Sequence, residues 1–151
     1  MSTINLVLFD FNRENLLPLV YTKPIAALRI GIGTIKEKWE SALQLKASYY
    51  TAAYLAKKFP LHLDSDNLLI NASVLPNKIL NKYLTEALPY NTLLVQKGIP
   101  IALKCDADTA QLFFQAKANA IKTIELSHAI IYLKYCWDLF RYNKEALESD
   151  F

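Results

Sequence analysis

The feature that most constrains the fold is an apolar run near the start of the chain, INLVLFDF at residues 4–11. The run has strand length and is almost continuously apolar, whereas a strand with one face in water would alternate apolar and polar residues. A strand of this kind must be covered on both faces. A second run of the same type, LLIN at residues 68–71, occurs later in the chain. Together they predict a sheet buried between two other layers.

Helical patterns separate the strand-like runs. In GTIKEKWESALQLK, Thr34 can cap a helix and Glu37 can complete its capping box, with Ile35, Trp39, Ala42 and Leu43 on one face. The remaining spacing predicts helices over 49–60, 80–88, 106–121 and 136–151, and strands over 93–96, 101–103, 122–126 and 129–133. Strands that alternate with helices predict one α/β domain with a partly parallel sheet.

Composition and charge exclude several classes of protein. The formal charge is only +3, and three of the seventeen basic residues are arginines, so the chain lacks the basic surface that nucleic acids require. No apolar run approaches the roughly 18 residues that span a bilayer, and the N-terminus does not have the pattern of a signal peptide. Cys105 and Cys136 lie in apolar surroundings, and we interpret both as reduced core thiols of a cytoplasmic protein.

Glycine is scarce, because the chain has only three glycines, Gly31, Gly33 and Gly98. A Walker A loop requires G-x-x-x-x-G-K-[ST], and a Rossmann loop requires G-x-G-x-x-G. The segment RIGIGTIKEKW supplies the first two glycines of the second pattern and no third. The sequence therefore contains no glycine-rich loop for binding phosphate.

Two further patterns have simple structural interpretations. The D-x-D steps at 64–66 and 106–108 have the form of a glycosyltransferase metal motif, but both directly precede a predicted strand or helix. Aspartates in such positions form turns and caps, and we interpret these residues that way. His62 and His128 are isolated from partners in the sequence, and we assign them structural roles.

Three segments resemble the sugar-phosphate nucleotidyltransferases. The first is LLPLVYTKPIAALRIGIGTIKEKW at residues 16–39, the second is NLLIN at 67–71, and the third is WDLFRYN at 137–143. In that family a first strand leads into a glycine-rich loop, an arginine and a P-L-T…P-K-P segment. The three segments are most similar to a branch that resembles the uridylyltransferase half of the bifunctional N-acetylglucosamine-1-phosphate enzyme.

The resemblance implies a fold, substrates and site residues. The fold is a Rossmann-like three-layer α/β domain with a mixed, mostly parallel sheet, reduced in size. The substrates are a nucleoside triphosphate and a sugar 1-phosphate, and the cofactor of an active enzyme is Mg²⁺. Lys23 and Arg13 would contact phosphates, and the substrate-binding residues would be Arg29, Asn71, Ser73, Trp137, Asp138 and Asn143. In the alternative interpretations, Lys23 is a solvated lysine in a turn, Arg13 is a surface arginine and Arg29 pairs with a carboxylate. Trp137 is then a core residue, and Asp138 complements a helix dipole.

The sequence departs from the family pattern at two places. The loop FDFNREN contains no glycine, although backbone N–H groups must approach the triphosphate closely there. Ala72 and Ser73 occupy the place of the family's metal-binding aspartate, and a serine hydroxyl is a poor sole ligand for Mg²⁺. Asp10, at the end of the first strand, is the candidate substitute.

These departures leave two functions open. The domain is either a nucleotidyltransferase, or a catalytically inactive domain that binds a nucleotide or sugar phosphate or acts as a scaffold for a β-helix acyltransferase. In this branch the domain precedes a hexapeptide-repeat β-helix. The resemblance therefore implies that residues 1–151 are the N-terminal domain of a longer protein. We expect this fragment to be a monomer or a weak oligomer without membrane or nucleic-acid partners.

Overall fold

A six-stranded sheet organises the computed structural model, which describes residues 4–17, 19–115 and 122–150. Its strands are, in chain order, β1 (Asn5–Phe9), β4 (Ala47–Tyr50), β5 (Asn67–Asn71), β6 (Thr92–Gln96), β7 (Ile99–Cys105) and β8 (Lys122–Glu125). Two shorter strands, β2 (Arg29–Ile30) and β3 (Gly33–Thr34), form a separate small hairpin. The spatial order is β4-β1-β5-β7-β6-β8. Only β7 runs against the others, so the sheet is mixed and mostly parallel, as the family resemblance implies.

Helices cover the sheet on both faces. They are α1 (Ile35–Leu43), α2 (Lys78–Lys82) with a wider turn over Tyr83–Ala87, α3 (Ala107–Phe114), α4 (Asp138–Arg141) and α5 (Asn143–Asp150). Alternate residues of β1 point to opposite layers: Leu6 and Leu8 pack with α1 and α2, and Val7 and Phe9 pack with α3. This alternation explains why the β1 sequence is apolar throughout.

Local signals in the sequence place several elements correctly. Thr34 accepts a hydrogen bond from the Glu37 N–H at 3.1 Å, and Glu37 accepts from the Thr34 N–H, so the predicted capping box begins α1. Asp106 caps α3 by accepting from the Thr109 N–H at 2.8 Å. The β6–β7 hairpin turns at Lys97 and Gly98, both of which have positive φ, as a tight turn between twisted strands requires.

Four sequence predictions are wrong. Residues 49–60 do not form a helix, because Ala47–Tyr50 pairs with β1 as strand β4 and only a single turn follows at Ala53–Leu55. The segment 129–133 contributes only an isolated bridge between Tyr132 and Val74. The predicted closing helix over 136–151 is divided at Tyr142, between α4 and α5. Ala42, predicted on the inner face of α1, is exposed. The predicted extension of α3 over 116–121 lies outside the described residues.

Within the described ranges, no helix combines the length and apolar character needed to cross a bilayer.

The two cysteines lie in different environments. Both thiols are free; Cys105 is fully buried and Cys136 is half-buried. Burial raises the pKa of the Cys105 thiol to about 12, with a smaller contribution from the nearby Asp106 carboxylate.

Because the thiolate is the reactive form, iodoacetamide at pH 8 should label Cys136 first and leave Cys105 unmodified until the protein unfolds. Peptide mass spectrometry over a time course measures this order, and equal labelling rates would contradict it.

Candidate functional site

The candidate site lies where three parallel strands end side by side. Phe9 of β1 pairs in register with Tyr50 of β4 on one side and Asn71 of β5 on the other. After β1, the chain adds β4 on one side of β1 and then β5 on the other side. The direction in which strands are added therefore reverses at β1, at this edge of the sheet. In open α/β sheets, ligands bind in the crevice outside such strand ends.

Asp10, the first residue after β1, is the centre of a hydrogen-bonded cluster at this edge. Its Oδ2 accepts from Arg13 Nη1 at 2.8 Å and from Thr51 Oγ1 at 2.6 Å, and its Oδ1 accepts from the Ile25 N–H at 3.1 Å. The Asp10 side chain is 6% exposed. Burial raises the pKa of the Asp10 carboxyl above its ordinary value, and the bonds from Thr51, Ile25 and Arg13 offset part of that rise.

Arg13 is held by partners on three segments of the chain. Besides the Asp10 carboxylate, its Nη1 bonds the Lys23 carbonyl at 3.0 Å and its Nη2 bonds the Tyr54 hydroxyl at 3.2 Å. The Tyr54 hydroxyl in turn donates to the Tyr21 carbonyl at 2.7 Å. The turn that leads into Arg13 uses Asn12 at φ 51°, so asparagine supplies the left-handed conformation in a loop without glycine.

The same contacts fix the main chain on either side of Pro24. The Lys23 carbonyl accepts from Arg13, and the Ile25 N–H donates to Asp10. Pro24 itself has φ −65° and ψ 160° and is buried. The half-buried Lys23 side chain therefore begins from a backbone that the Asp10–Arg13 pair holds rigidly beside the end of β1.

Asn71 and Ser73, predicted to bind substrate, lie beside the end of β1 but are fully buried. Asn71 donates to the Pro100 carbonyl at 2.9 Å and accepts from the Ser73 N–H at 2.9 Å. The Leu133 N–H donates to the Ser73 carbonyl at 2.8 Å, so residues near 133 cover this strand end. Ser73 Oγ has no hydrogen-bond partner among the described residues.

Arg29 and Asn143, two more of the predicted substrate-binding residues, meet at the β2–β3 hairpin. The exposed Arg29 donates from Nη1 to the Ile32 carbonyl at 3.3 Å. Asn143 Oδ1 accepts from the N–H of Gly31, whose φ is 70°. Asn143 therefore joins the start of α5 to this hairpin.

Trp137 and Asp138 lie at the start of α4. Asp138 is buried and accepts from the N–H groups of Lys134 and Tyr135, both at 2.9 Å. Trp137 is 59% exposed and stacks on the Tyr135 ring with centroids 4.6 Å apart. The alternative interpretation of Trp137 as a core residue is therefore wrong, because its neighbour Asp138 takes the inward position instead.

The described residues do not fit a protein-bound Mg²⁺. No three acidic, histidine or cysteine side chains in the described ranges form a group that could hold a metal ion. Asp10, the candidate ligand, already accepts from three protein donors, one of them the Arg13 cation. A hard divalent cation prefers several oxygen ligands without competing positive charge.

A cavity of about 480 Å³ adjoins Arg13 and is lined by Arg13, Glu14, Leu17, Tyr21 and Tyr54; we call it the Tyr21–Tyr54 cavity. The sequence predictions do not include Thr51 or the two tyrosines among the site residues. The one usable signal is that TAAY, residues 51–54, directly follows the aromatic pair YY. If YY is read as the end of a strand, the residues after it lie at the edge of the sheet. The predicted helix over 49–60 hides that position.

Comparison with known proteins agrees with this fold. A putative glucose-1-phosphate thymidylyltransferase from Bacillus anthracis, solved in complex with a sucrose, superposes with a TM-score of 0.58. The match covers 97% of this chain and 96% of that chain at 9% sequence identity, so it shows a shared fold. No curated protein matches the chain in sequence.

The family model described as sugar nucleotidyl transferase matches residues 6–151. That span contains the strand ends, the Asp10–Arg13 pair and the Lys23 segment. The chain therefore belongs to the sugar nucleotidyl transferase family.

Proposed function

We propose that this domain binds a nucleoside triphosphate and a sugar 1-phosphate at the ends of β1 and β4, and that alone it transfers nucleotidyl groups weakly or not at all. The observation that carries the proposal is the fixed backbone at Lys23, which is bonded on both sides of Pro24 by the Asp10–Arg13 pair. A cation on a preorganised backbone stabilises phosphate charge without reorganisation when the ligand arrives.

In the family reaction, an oxygen of the sugar 1-phosphate attacks the α-phosphate of the triphosphate, and pyrophosphate leaves. The protein contributes positioning and charge stabilisation to such a transfer. Lys23 would supply the ammonium group that contacts a phosphate. Arg13 would act mainly as a positioning residue, because its described bonds go to Asp10, the Lys23 carbonyl, Thr51 and Tyr54.

Two observations favour weak catalysis. The described residues do not form a carboxylate site for Mg²⁺, the ion that would neutralise the charge of the transferring phosphates. Ser73, at the place of the family's metal aspartate, is buried beneath residues near Leu133. These observations also support the second candidate, a binding or scaffold domain. In that case it would be the N-terminal domain of a longer cytoplasmic protein with a β-helix acyltransferase.

Ligand binding is tested by thermal shift with UTP, dTTP, ATP, GTP, N-acetylglucosamine 1-phosphate and glucose 1-phosphate. A ligand at 100 times its dissociation constant adds about 2.7 kcal/mol to the free energy of unfolding, which raises the melting temperature by several degrees. We expect at least one nucleotide to do so with the wild type and to lose the effect with Lys23→Ala. Lys46→Ala, at an exposed lysine just after α1, is the matched control. No shift with any of these compounds would contradict the proposal.

Catalysis is tested separately by pyrophosphate release with Mg²⁺, each triphosphate and N-acetylglucosamine 1-phosphate. We expect release close to the protein-free background, because the described residues form no carboxylate cluster that could hold the metal. Rapid release that Lys23→Ala abolishes would show that the domain is an active enzyme and would overturn the expectation of weak catalysis. Sedimentation velocity on the same sample should give a monomer or a weak oligomer.

A further inference from the structure

Two large apolar rings are exposed within one helical turn at α4. Phe140 is 80% exposed and Trp137 is 59% exposed, and neighbouring exposed rings of this size mark an interaction surface. We propose that this turn binds the surface of an anionic lipid bilayer, with the two rings inserted among the headgroups. We call it the α4 surface, and its residues are Lys134, Tyr135, Trp137, Phe140, Arg141 and Lys144. The inference is independent of the proposed function.

The aromatic residues of the α4 surface are held in place before any partner binds. The rings of Tyr135 and Trp137 stack with centroids 4.6 Å apart and planes inclined by 16°. The buried Asp138 carboxylate accepts from the N–H groups of Lys134 and Tyr135, which fixes the main chain that carries the stack. Tryptophan and tyrosine combine an apolar ring with a polar tip, and both are enriched where membrane meets water.

The exposed charge of the α4 surface is positive. Lys134, Arg141 and Lys144 are exposed, and the Lys134 ammonium lies 5.3 Å from the centre of the Tyr135 ring. Within residues 134–144 the single acidic residue is Asp138, whose carboxylate is buried. The segment therefore presents three cations beside its apolar rings and no exposed carboxylate. Each lysine or arginine close to an anionic membrane adds attraction.

The acidic residues that follow do not cancel this charge. Glu145 lines a cavity of about 250 Å³ together with Lys38 and Lys78, so two cations offset its charge there. Glu148 lies one turn further along α5, beyond Lys144.

Charge and shape also decide between kinds of partner. Two copies of the α4 surface would repel each other, because each presents three cations. A peptide or small ligand binds best in a concave site, whereas four cavities in the described part of the chain are lined by other residues. A protruding pair of rings suits a flat, deformable surface such as a bilayer.

This inference departs from the sequence-based expectation of no membrane partner. That expectation rested on the lack of a spanning apolar run and of a signal peptide pattern. Peripheral binding requires neither, since it depends on apolar side chains at the interface and on attraction to anionic lipids.

The test is co-sedimentation of the full chain with vesicles. The wild type should bind phosphatidylglycerol vesicles and bind phosphatidylcholine vesicles much more weakly, and NaCl should release it because salt screens the attraction. On binding, tryptophan emission should shift to shorter wavelength and become protected from iodide. Trp39, the other tryptophan, is fully buried, so the change reports Trp137.

Two pairs of variants separate the apolar from the charged contribution. Phe140→Ala should lower the vesicle partition coefficient about tenfold, because the burial of one ring is lost. Ile79→Ala, at a 57% exposed residue of α2, is its control and should not change binding. Lys144→Gln should lower the coefficient about fivefold, the loss expected for one cation, and Lys46→Gln is its control. All four side chains are exposed, so folding is preserved.

Three results would overturn the inference. The first is a wild type that does not bind phosphatidylglycerol vesicles, and the second is equal vesicle binding by Phe140→Ala. The third is a different partner at the same residues. A dimer that Phe140→Ala dissociates in sedimentation velocity would assign the surface to a second copy. Binding of a single-stranded oligonucleotide, lost with Phe140→Ala and without vesicle binding, would assign it to nucleic acid.

Discussion

Asp10→Ala should lower the free energy of unfolding by about 3 to 5 kcal/mol, the usual loss when one partner of a buried ion pair is removed. The Asp10 and Arg13 side chains are only 6% and 16% exposed, so the guanidinium left behind is poorly hydrated. The Ile25 N–H and the Thr51 hydroxyl lose their acceptor in the same change. Urea denaturation followed by circular dichroism measures the loss.

The same experiment distinguishes two roles for Asp10. A carboxylate that serves mainly as a metal ligand is under-paired without metal, and its removal would cost little or would stabilise the protein. A loss below about 1 kcal/mol would therefore contradict the structural role that we assign to the Asp10–Arg13 pair. Asp108→Ala, at an exposed aspartate in the first turn of α3, is the control and should cost less than about 1 kcal/mol.

The effect of Asp10→Ala should also depend on pH. Burial raises the Asp10 pKa in the folded protein above the ordinary value of 3.8, so the folded state takes up this proton before the unfolded state does. The contribution of this group to stability therefore increases as the pH falls from 7 through the raised pKa toward 3.8. The difference in unfolding free energy between wild type and Asp10→Ala should grow over that range. A constant difference would contradict the raised pKa.

Trp39→Ala should be comparably damaging, at about 3 to 5 kcal/mol. Trp39 is fully buried in α1, where it contributes to the main core. Its indole Nε1 also donates to the Val74 carbonyl at 2.8 Å, which would be left without that donor. Because whole domains of this kind are stable by only about 5–15 kcal/mol, the variant should melt far below the wild type or fail to fold.

The second tryptophan provides a matched control. Trp137 is 59% exposed, and within the described part of the chain its ring stacks on Tyr135 at the start of α4. Trp137→Ala should therefore change the free energy of unfolding by less than about 1 kcal/mol. A loss equal to that of Trp39→Ala would show that Trp137 is buried in solution, contrary to the structure.

Much of the fold was readable from local patterns in the sequence. The continuous apolar runs at 4–11 and 68–71 predicted strands covered on both faces, and they became β1 and β5 at the centre of the sheet. The Thr34–Glu37 capping box set the start of α1, and Asp106 set the start of α3. These signals are reliable because each depends on residues within a few positions of one another, whose geometry the local backbone determines.

Elements with weak local preference were misassigned. The segment YYTAAY has aromatic residues that suit a strand and alanines that suit a helix, and its pairing with β1 decided the outcome. That error concealed Thr51 and Tyr54, since only a strand at 47–50 brings the residues that follow it to the end of β1. The break between α4 and α5 at Tyr142 is likewise not marked by proline or glycine.

The sequence by itself determined the class of fold, the central strands, the helix caps and the family resemblance of the segment that contains Lys23. Only the tertiary structure decided which groups surround that lysine. Arg13 meets Tyr54 from 41 positions away, and Asp10 meets Thr51 from the same separation. Contacts over such distances arise from how the strands pair, because the pairing of β1 with β4 brings the residues that follow the two strands together. The arginine that the pattern assigned to a phosphate is, in the folded chain, bonded to a buried aspartate.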